Sequence, residues 1–237
     1  MTLRIFVINP NSSQAVTDHI RRELERVKRP DTELTVVNPQ HGPASIESQY
    51  DRELVKPYVL DLVRRANDEG YDVAIIACFS DPGLDASREI SSIPVIGIEE
   101  STLHVAAMLG HRFSPVTAFP KHVPTRDLHV RMGGFEHAYA STLITGMSVL
   151  DMEADPTTTK GRILAEARRA VAEDGAEVIV LGCAGLSGYA KDIERELGVV
   201  VLDPTAVALK VAETFADLGL RHSKIARFAT PPAKEIR

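Results

Sequence analysis

Tyr71-Asp72-Val73-Ala74-Ile75-Ile76-Ala77-Cys78-Phe79-Ser80-Asp81-Pro82-Gly83-Leu84-Asp85-Ala86-Ser87-Arg88-Glu89 is an unbroken apolar run that ends in a thiol and turns at once into a helical pattern. Val73, Ile75 and Ile76 are β-branched and fit a pleated sheet better than a helix. A strand that is apolar at every position has both faces covered, as in a parallel sheet. The reading is a buried strand that delivers Cys78 to the turn Asp81-Pro82-Gly83, with a helix running on through Leu84, Ala86, Ser87 and Glu89. Pro82 is tolerable in the first turn of that helix, where a missing N–H costs nothing.

The same stretch occurs twice. Gly70-Tyr71-Asp72-Val73-Ala74-Ile75-Ile76-Ala77-Cys78 aligns without gaps on Gly175-Ala176-Glu177-Val178-Ile179-Val180-Leu181-Gly182-Cys183, 105 positions further on. At that offset Gly83 falls on Gly188, Glu89 on Glu194, and the next apolar strand, Val95-Ile96-Gly97-Ile98, on Val200-Val201-Leu202-Asp203. The chain has 2 cysteines, and both occupy the same repeat position. For thiols scattered at random that coincidence has odds of roughly one in a hundred, so the repeat and the thiols are read together.

Such a repeat in 237 residues, 44% of them hydrophobic and 25% charged, implies two small domains. Net charge is −6 and no basic patch is interleaved with aromatics, which argues against nucleic acid and anionic membranes and for a small-molecule partner. No apolar run reaches membrane-spanning length, since Asp72 and Asp81 bracket one candidate and Glu177 interrupts the other. The start, Met1-Thr2-Leu3-Arg4-Ile5-Phe6-Val7-Ile8, enters a strand pattern without a charged leader or cleavage site. A cytoplasmic protein is expected, with both thiols reduced.

Outward from the repeat, strand and helix patterns alternate. Residues 4–8 read as a strand, followed by Asn9-Pro10-Asn11-Ser12-Ser13, whose side chains can cap a helix over 14–27. A strand over 34–37, a turn-rich loop over 41–47 and a helix over about 51–69 lead into the Cys78 strand. After its helix come a strand over 94–98 and a helix over 100–109 closed by Gly110. The second half restarts with an apolar strand and Pro turn over 113–120. A helix over 123–132, a strand near 140–144, a loop over 151–159 and a long helix over 160–173 precede the Cys183 strand. The tail over 230–237 reads as frayed. Alternation of this kind makes the protein α/β, with right-handed βαβ units and two pseudo-symmetric parallel-rich sheets.

A single cysteine at a strand end is commonly a small buried hydrophobe. Two at equivalent positions differ, because ligands of open α/β sheets bind outside the carboxyl ends of the strands, and equivalent strand ends of two lobes can face each other across a cleft. A helix N-terminus after each thiol is expected to favour the thiolate and to offer backbone N–H groups to a substrate oxygen. Two thiols facing one carbon suit removal of a proton from one face of a stereocentre and its return to the other. The 8 histidines are dispersed without metal-ligand spacing. The pairs His104 with His111 and His122 with His129, seven apart, read as surface or core residues. Gly182-Cys183-Ala184-Gly185-Leu186-Ser187-Gly188 imitates a dinucleotide fingerprint, but as GxxGxxG rather than GxGxxG, and the repeat already accounts for it. No metal or organic cofactor is expected. Asn9, Asn11 and Ser45 read as caps and turns whose place at strand ends brings them near the cleft.

Ile8-Asn9-Pro10-Asn11-Ser12-Ser13, Ser45-Ile46-Glu47, Ile76-Ala77-Cys78-Phe79-Ser80-Asp81-Pro82-Gly83-Leu84 and Leu181-Gly182-Cys183-Ala184-Gly185 resemble the hydantoin and allantoin racemases of the aspartate/glutamate/hydantoin racemase superfamily. The likeness covers nearly the whole chain. It implies a cofactor-independent two-base racemase with its active site in the cleft between two domains, Cys78 and Cys183 being the catalytic acid and base. It also implies that a C-terminal helix returns to the first domain, which gives domains of residues 1–99 joined by a helix over 205–237, and of residues 100–204. Amino-acid racemases of the superfamily usually carry Asn-Thr after the first cysteine and Thr after the second. Phe79-Ser80 and Ala184-Gly185 stand here instead, which favours a neutral cyclic ureide over aspartate or glutamate. Backbone N–H groups at Phe79, Ser80, Ala184 and Gly185 are the candidate oxyanion donors. Asn11, Thr117 and the backbone at Ile46 are the candidate contacts of the ring amides. Pro115-Val116-Thr117-Ala118-Phe119, where an Ile-Val-Thr-Thr strand end is usual, implies a larger and less polar pocket wall. A homo-oligomer is expected. Another thiol enzyme of the superfamily, whether amino-acid racemase, decarboxylase or isomerase, and a non-catalytic two-lobed binding protein are the alternative readings.

Overall fold

Two parallel sheets built from the two halves of the repeat frame the molecule, and the computed structural model describes residues 2–233. The first lobe runs β1 (Leu3–Ile8), α1 (Gln14–Val27), β2 (Thr32–Val37), α2 (Gln49–Asp68), β3 (Val73–Ile76), α3 (Leu84–Ile90) and β4 (Val95–Gly97), and α4 (Ile98–Leu109) leaves it. The second holds β5 (Phe113–Thr117), α5 (Val123–Met132), β6 (Leu143–Ile144), α6 (Val149–Ala154), α7 (Pro156–Arg169), β7 (Val178–Val180), α8 (Ala190–Leu197) and β8 (Val200–Leu202). A last helix, α9 (Pro204–Asp217), returns to the first lobe, where Glu213 accepts from Arg29 N and Thr32 Oγ1, both at 2.9 Å. Strand order is β2-β1-β3-β4 in one sheet and β6-β5-β7-β8 in the other, with every pairing parallel. The protein is α/β with two pseudo-symmetric sheets, and each cysteine follows the corresponding inner strand.

Coverage on both faces explains the unbroken apolar strands: every residue of β3 and β7 is buried. One layer of side chains joins the lobes, with Val7 and Ile75 from the first sheet, Val178 and Val180 from the second, Leu103 from α4 and Leu209 from α9 in a single cluster. Burying a side chain of that size stabilises by about 2 kcal/mol, so this shared layer fixes one sheet against the other. The repeat extends to the backbone: Gly70 and Gly175 have φ of +69° and +71°, and Gly83 and Gly188 of +74° and +91°.

Several boundaries differ from the sequence reading. Ile98 begins α4 rather than ending β4, because the Asp81 carboxylate accepts the N–H groups of Glu99 (3.1 Å) and Glu100 (2.8 Å) and so caps the helix early. The expected loop over 151–159 is helical, with Ser148 Oγ accepting from Asp151 N (3.1 Å) and Asp155 Oδ1 from Thr158 N (3.0 Å) to start α6 and α7. The C-terminal helix is shorter than residues 205–237, since α9 ends at Asp217 and Gly219 follows at φ +62°. Beyond it the chain lies along the first lobe: His222 Nε2 accepts from Val95 N at 2.9 Å, Lys224 donates to the Glu89 carbonyl at 3.0 Å, and Arg227 pairs with Asp85 at 2.7 Å. Residues 234–237 of the tail read as frayed lie outside the described residues.

Candidate active site

The first thiol stands just past its sheet. Ala77 N donates to the Ile8 carbonyl (2.8 Å), which completes the pairing, and the chain then folds back so that Ser80 N (2.7 Å) and Asp81 N (2.9 Å) both donate to the Cys78 carbonyl. Asp81 adopts φ +42° to close this turn and sends its carboxylate to the N-terminus of α4. A Cβ at Gly97 would overlap that carboxylate, so the junction of β4 and α4 admits no side chain. The helix after the turn, α3, starts at Leu84 as expected, and the N-terminus of α4 is capped by Asp81 from within the turn.

In the second lobe the same link runs the other way. Gly182 packs against β5 so closely that a Cβ would overlap the Val116 carbonyl oxygen. Cys183 precedes a 3-10 turn over Ala184–Leu186, and its carbonyl accepts from Leu186 N at 3.0 Å. Here the carboxylate sits on the helix: Asp203 caps α9 through Thr205 N (3.0 Å) and Ala206 N (3.2 Å) and reaches back to Gly188 N (2.8 Å). Both halves thus tie the post-cysteine turn to the next helix through a carboxylate, supplied from opposite ends.

Cys78 and Cys183 line one cavity of about 220 Å³ between the lobes, together with Asn11, Ile46, Phe79, Ser80, Thr117, Ala184 and Gly185. Every site residue expected from the sequence is brought to it. Ser45 is not among the lining residues, and neither is Phe119, whose ring stacks edge-on to His122 with centroids 5.8 Å apart. Of the stretch Pro115–Phe119, Val116, Thr117 and Ala118 face the cavity, and two of these three are apolar.

The electrostatics overturn the expectation of a depressed thiol at Cys78. Burial pushes it up from 9.0 to about 11, outweighing the Ser80 hydroxyl 3.3 Å from Sγ and the Arg52 guanidinium, which favour the thiolate, while charge on Cys183 opposes it. Mutual opposition makes the two thiols a coupled pair. Ser80 N is committed to the turn, so Ser80 reaches the cavity through its hydroxyl rather than its N–H. Phe79 N meets no acceptor among the described residues, and Ala184 and Gly185 open a helical turn, where N–H groups have no internal partner. Asn11 Oδ1 accepts from Asn9 Nδ2 and Ser13 N, both at 2.9 Å, which leaves its Nδ2 as a donor. Among the described residues no three His, Cys, Asp or Glu side chains are grouped as a metal ion would need, and no helix is long and apolar enough to cross a membrane.

The sequence profile of the Asp/Glu/Hydantoin racemase family matches residues 5–212. The chain belongs to that family. It is 42% identical to a hydantoin racemase of Pseudomonas sp. (strain NS671), over 98% of this chain and 94% of that one. Its fold superposes on an allantoin racemase from Klebsiella pneumoniae with a TM-score of 0.95 at 37% identity, covering 99% of this chain and 96% of that one. An allantoin racemase from Pseudomonas fluorescens gives a TM-score of 0.95 at 34% identity, covering 99% and 100%.

Behind the Cys78 turn this racemase holds a buried charged cluster that the sequence reading missed. Glu99 of α4 pairs with Arg126 of α5 and accepts from His129 Nδ1 at 2.8 Å. Arg126 donates to the Phe79 carbonyl (2.9 Å) and stacks 4.6 Å from its ring, and Arg52 of α2 donates to the Ser80 carbonyl (3.1 Å). Burial, with Arg52 and Arg126 alongside, pulls His129 down to about 4. The ring is therefore neutral, and its Nε2 accepts from Arg52 at 3.3 Å. By binding two successive carbonyls, the cluster, whose Arg52, Arg126 and His129 also line the cavity, fixes the peptide planes that flank Cys78.

A second set missed by the sequence reading bridges the lobes. His122 lies 2.9 Å from Thr117 Oγ1 through Nδ1 and 2.8 Å from the Glu47 carbonyl through Nε2, and Glu47 Oε1 accepts from Val149 N at 2.8 Å. The seven-residue spacing of His122 and His129 was the available signal. Nothing local marks either as a cavity residue, because their partners lie 75 and 30 positions away.

Proposed function

We propose that this racemase interconverts the enantiomers of 5-substituted hydantoins or of allantoin without a cofactor, with Cys78 and Cys183 alternating as base and acid. The observation that carries this reading is the meeting of the two repeat-equivalent thiols in one cavity, each close enough to oppose the other's ionisation. The hydrogen at the ring stereocentre is acidified by the adjacent carbonyl, because its loss gives an enolate delocalised onto oxygen. One cysteine, as thiolate, takes that proton; the other, as thiol, returns its own to the opposite face. The two then stand in exchanged protonation states, ready for the reverse reaction. N–H groups of Phe79, Ala184 and Gly185 are the donors for the developing oxyanion, each contributing on the order of 3 kcal/mol when preorganised.

A neutral ring fits better than a free amino acid. Phe79-Ser80 and Ala184-Gly185 line the cavity where the amino-acid racemases carry the Asn-Thr and Thr that help to hold a free carboxylate, while Arg126 is paired with Glu99 and the Phe79 carbonyl and Arg52 with the Ser80 carbonyl. The test is polarimetry of single enantiomers of allantoin, 5-benzylhydantoin, 5-methylthioethylhydantoin and glutamate. Rotation is expected to decay for at least one cyclic ureide and to persist for glutamate. Persistent rotation of every ureide, with no solvent deuterium entering any of them, would reduce the protein to a two-lobed binder.

A further inference from the structure

On the second lobe's wall the proton of the Thr117 hydroxyl has a designated place. The Glu47 carbonyl can only accept, so the His122 nitrogen 2.8 Å from it, Nε2, carries the hydrogen. In the neutral ring Nδ1 then presents a lone pair, and the Thr117 hydroxyl 2.9 Å away donates into it. Toward the cavity Thr117 has only oxygen lone pairs to offer. Asn11 has the opposite polarity: with Oδ1 held by Asn9 and Ser13, it presents its amide hydrogens. An acceptor from one lobe and a donor from the other line the same cavity. That pattern complements a ring edge carrying an N–H beside a C=O.

We propose that His122 is a specificity-determining positioning residue, which holds Thr117 as an obligate hydrogen-bond acceptor so that the site selects substrates presenting a ring N–H. This rests on the cyclic-ureide reading above and deepens it. The proton arrangement is set by the first lobe's Glu47 although His122 and Thr117 belong to the second, so the selection is complete only when the lobes are together. A group with lone pairs in place of the ring N–H would face the Thr117 lone pairs without a proton between them, and mismatches of that kind discriminate far more strongly than a missing methylene.

The experiment compares three substrates: 5-benzylhydantoin, 5-benzyloxazolidine-2,4-dione, in which oxygen replaces the N–H beside the stereocentre, and 3-methyl-5-benzylhydantoin, in which the other N–H is blocked. For each, kcat/KM for exchange of the stereocentre hydrogen in deuterium oxide is divided by the buffer-catalysed rate. The wild type is expected to lose about 30-fold or more on one of the two analogues. That loss should fall below about 3-fold in Thr117→Val, which has no hydroxyl, and in His122→Phe, which frees the hydroxyl to donate. Near-equal wild-type rates on all three substrates, or a loss undiminished in both Thr117→Val and His122→Phe, overturns the proposal. If circular dichroism finds His122→Phe unfolded, Thr117→Val decides alone. A wild type inactive on every one of these rings overturns the functional reading together with this one, whereas activity without discrimination overturns this one only.

Discussion

Alkylation of Cys78 should be slower than that of an unstructured thiol at neutral pH, the reverse of what a helix-activated cysteine would do. With its ionisation raised from 9.0 to about 11, Cys78 has roughly a hundredth of the thiolate an ordinary cysteine has at pH 8. A more basic thiolate is also a better nucleophile, and a Brønsted slope near 0.45 over two pH units returns about 8-fold. The population effect wins, leaving Cys78 about 10-fold slower than a peptide spanning residues 76–82. The assay is iodoacetamide labelling between pH 7 and 11, with peptide mapping to separate Cys78 from Cys183. The Cys78 rate should climb about 10-fold per pH unit toward pH 11, and substrate should protect it. Racemisation should rise on the same limb and then fall as the partner thiol loses its proton, in a bell that belongs to the pair. Labelling of Cys78 at pH 8 as fast as the peptide, with a plateau below pH 9, would refute the burial argument.

Replacing either cysteine by serine should abolish racemisation yet leave one-sided chemistry: in deuterium oxide Cys78→Ser should exchange the stereocentre hydrogen of one enantiomer with retention and Cys183→Ser that of the other. If both variants exchange the same enantiomer, the thiols do not address opposite faces. Asp81→Ala should lower stability in urea melts by about 2 kcal/mol, through the lost α4 cap and the strain of a positive φ, and Asp81→Asn by about half of that. Burial raises Asp81 to about 7, so its contribution is fully present below about pH 4 and is lost as pH rises through 7. The wild type's advantage over Asp81→Asn should shrink across that window, and a constant difference would contradict the assignment. Gly182→Ala, with its new Cβ against the Val116 carbonyl, should cost more than about 3 kcal/mol or prevent folding, whereas Gly161→Ala, at an open position, should be tolerated.

Sequence by itself determined the features written in local pattern. The apolar runs at 73–77 and 178–181 can be buried on both faces only in covered parallel sheets, and the 105-residue offset forces two such sheets with matching thiols. The cavity residues next to the thiols followed, because they share the same strand ends. Tertiary structure decided what those thiols experience. Cys78 reads as a helix-activated cysteine, yet burial raises the thiol instead. That reversal depends on which segments close over the end of β3, Cys183 of the other lobe among them, and no local window encodes it. His122, His129, Glu99 and Arg126 likewise acquire their partners only when α5 and the turn that precedes it in one lobe meet the 41–48 loop and α4 of the other. A charge or a hydrogen-bond donor is legible in a sequence, but its ionisation and direction are set by what is packed within a few ångströms, and that is decided by the approach of chain segments dozens of residues apart.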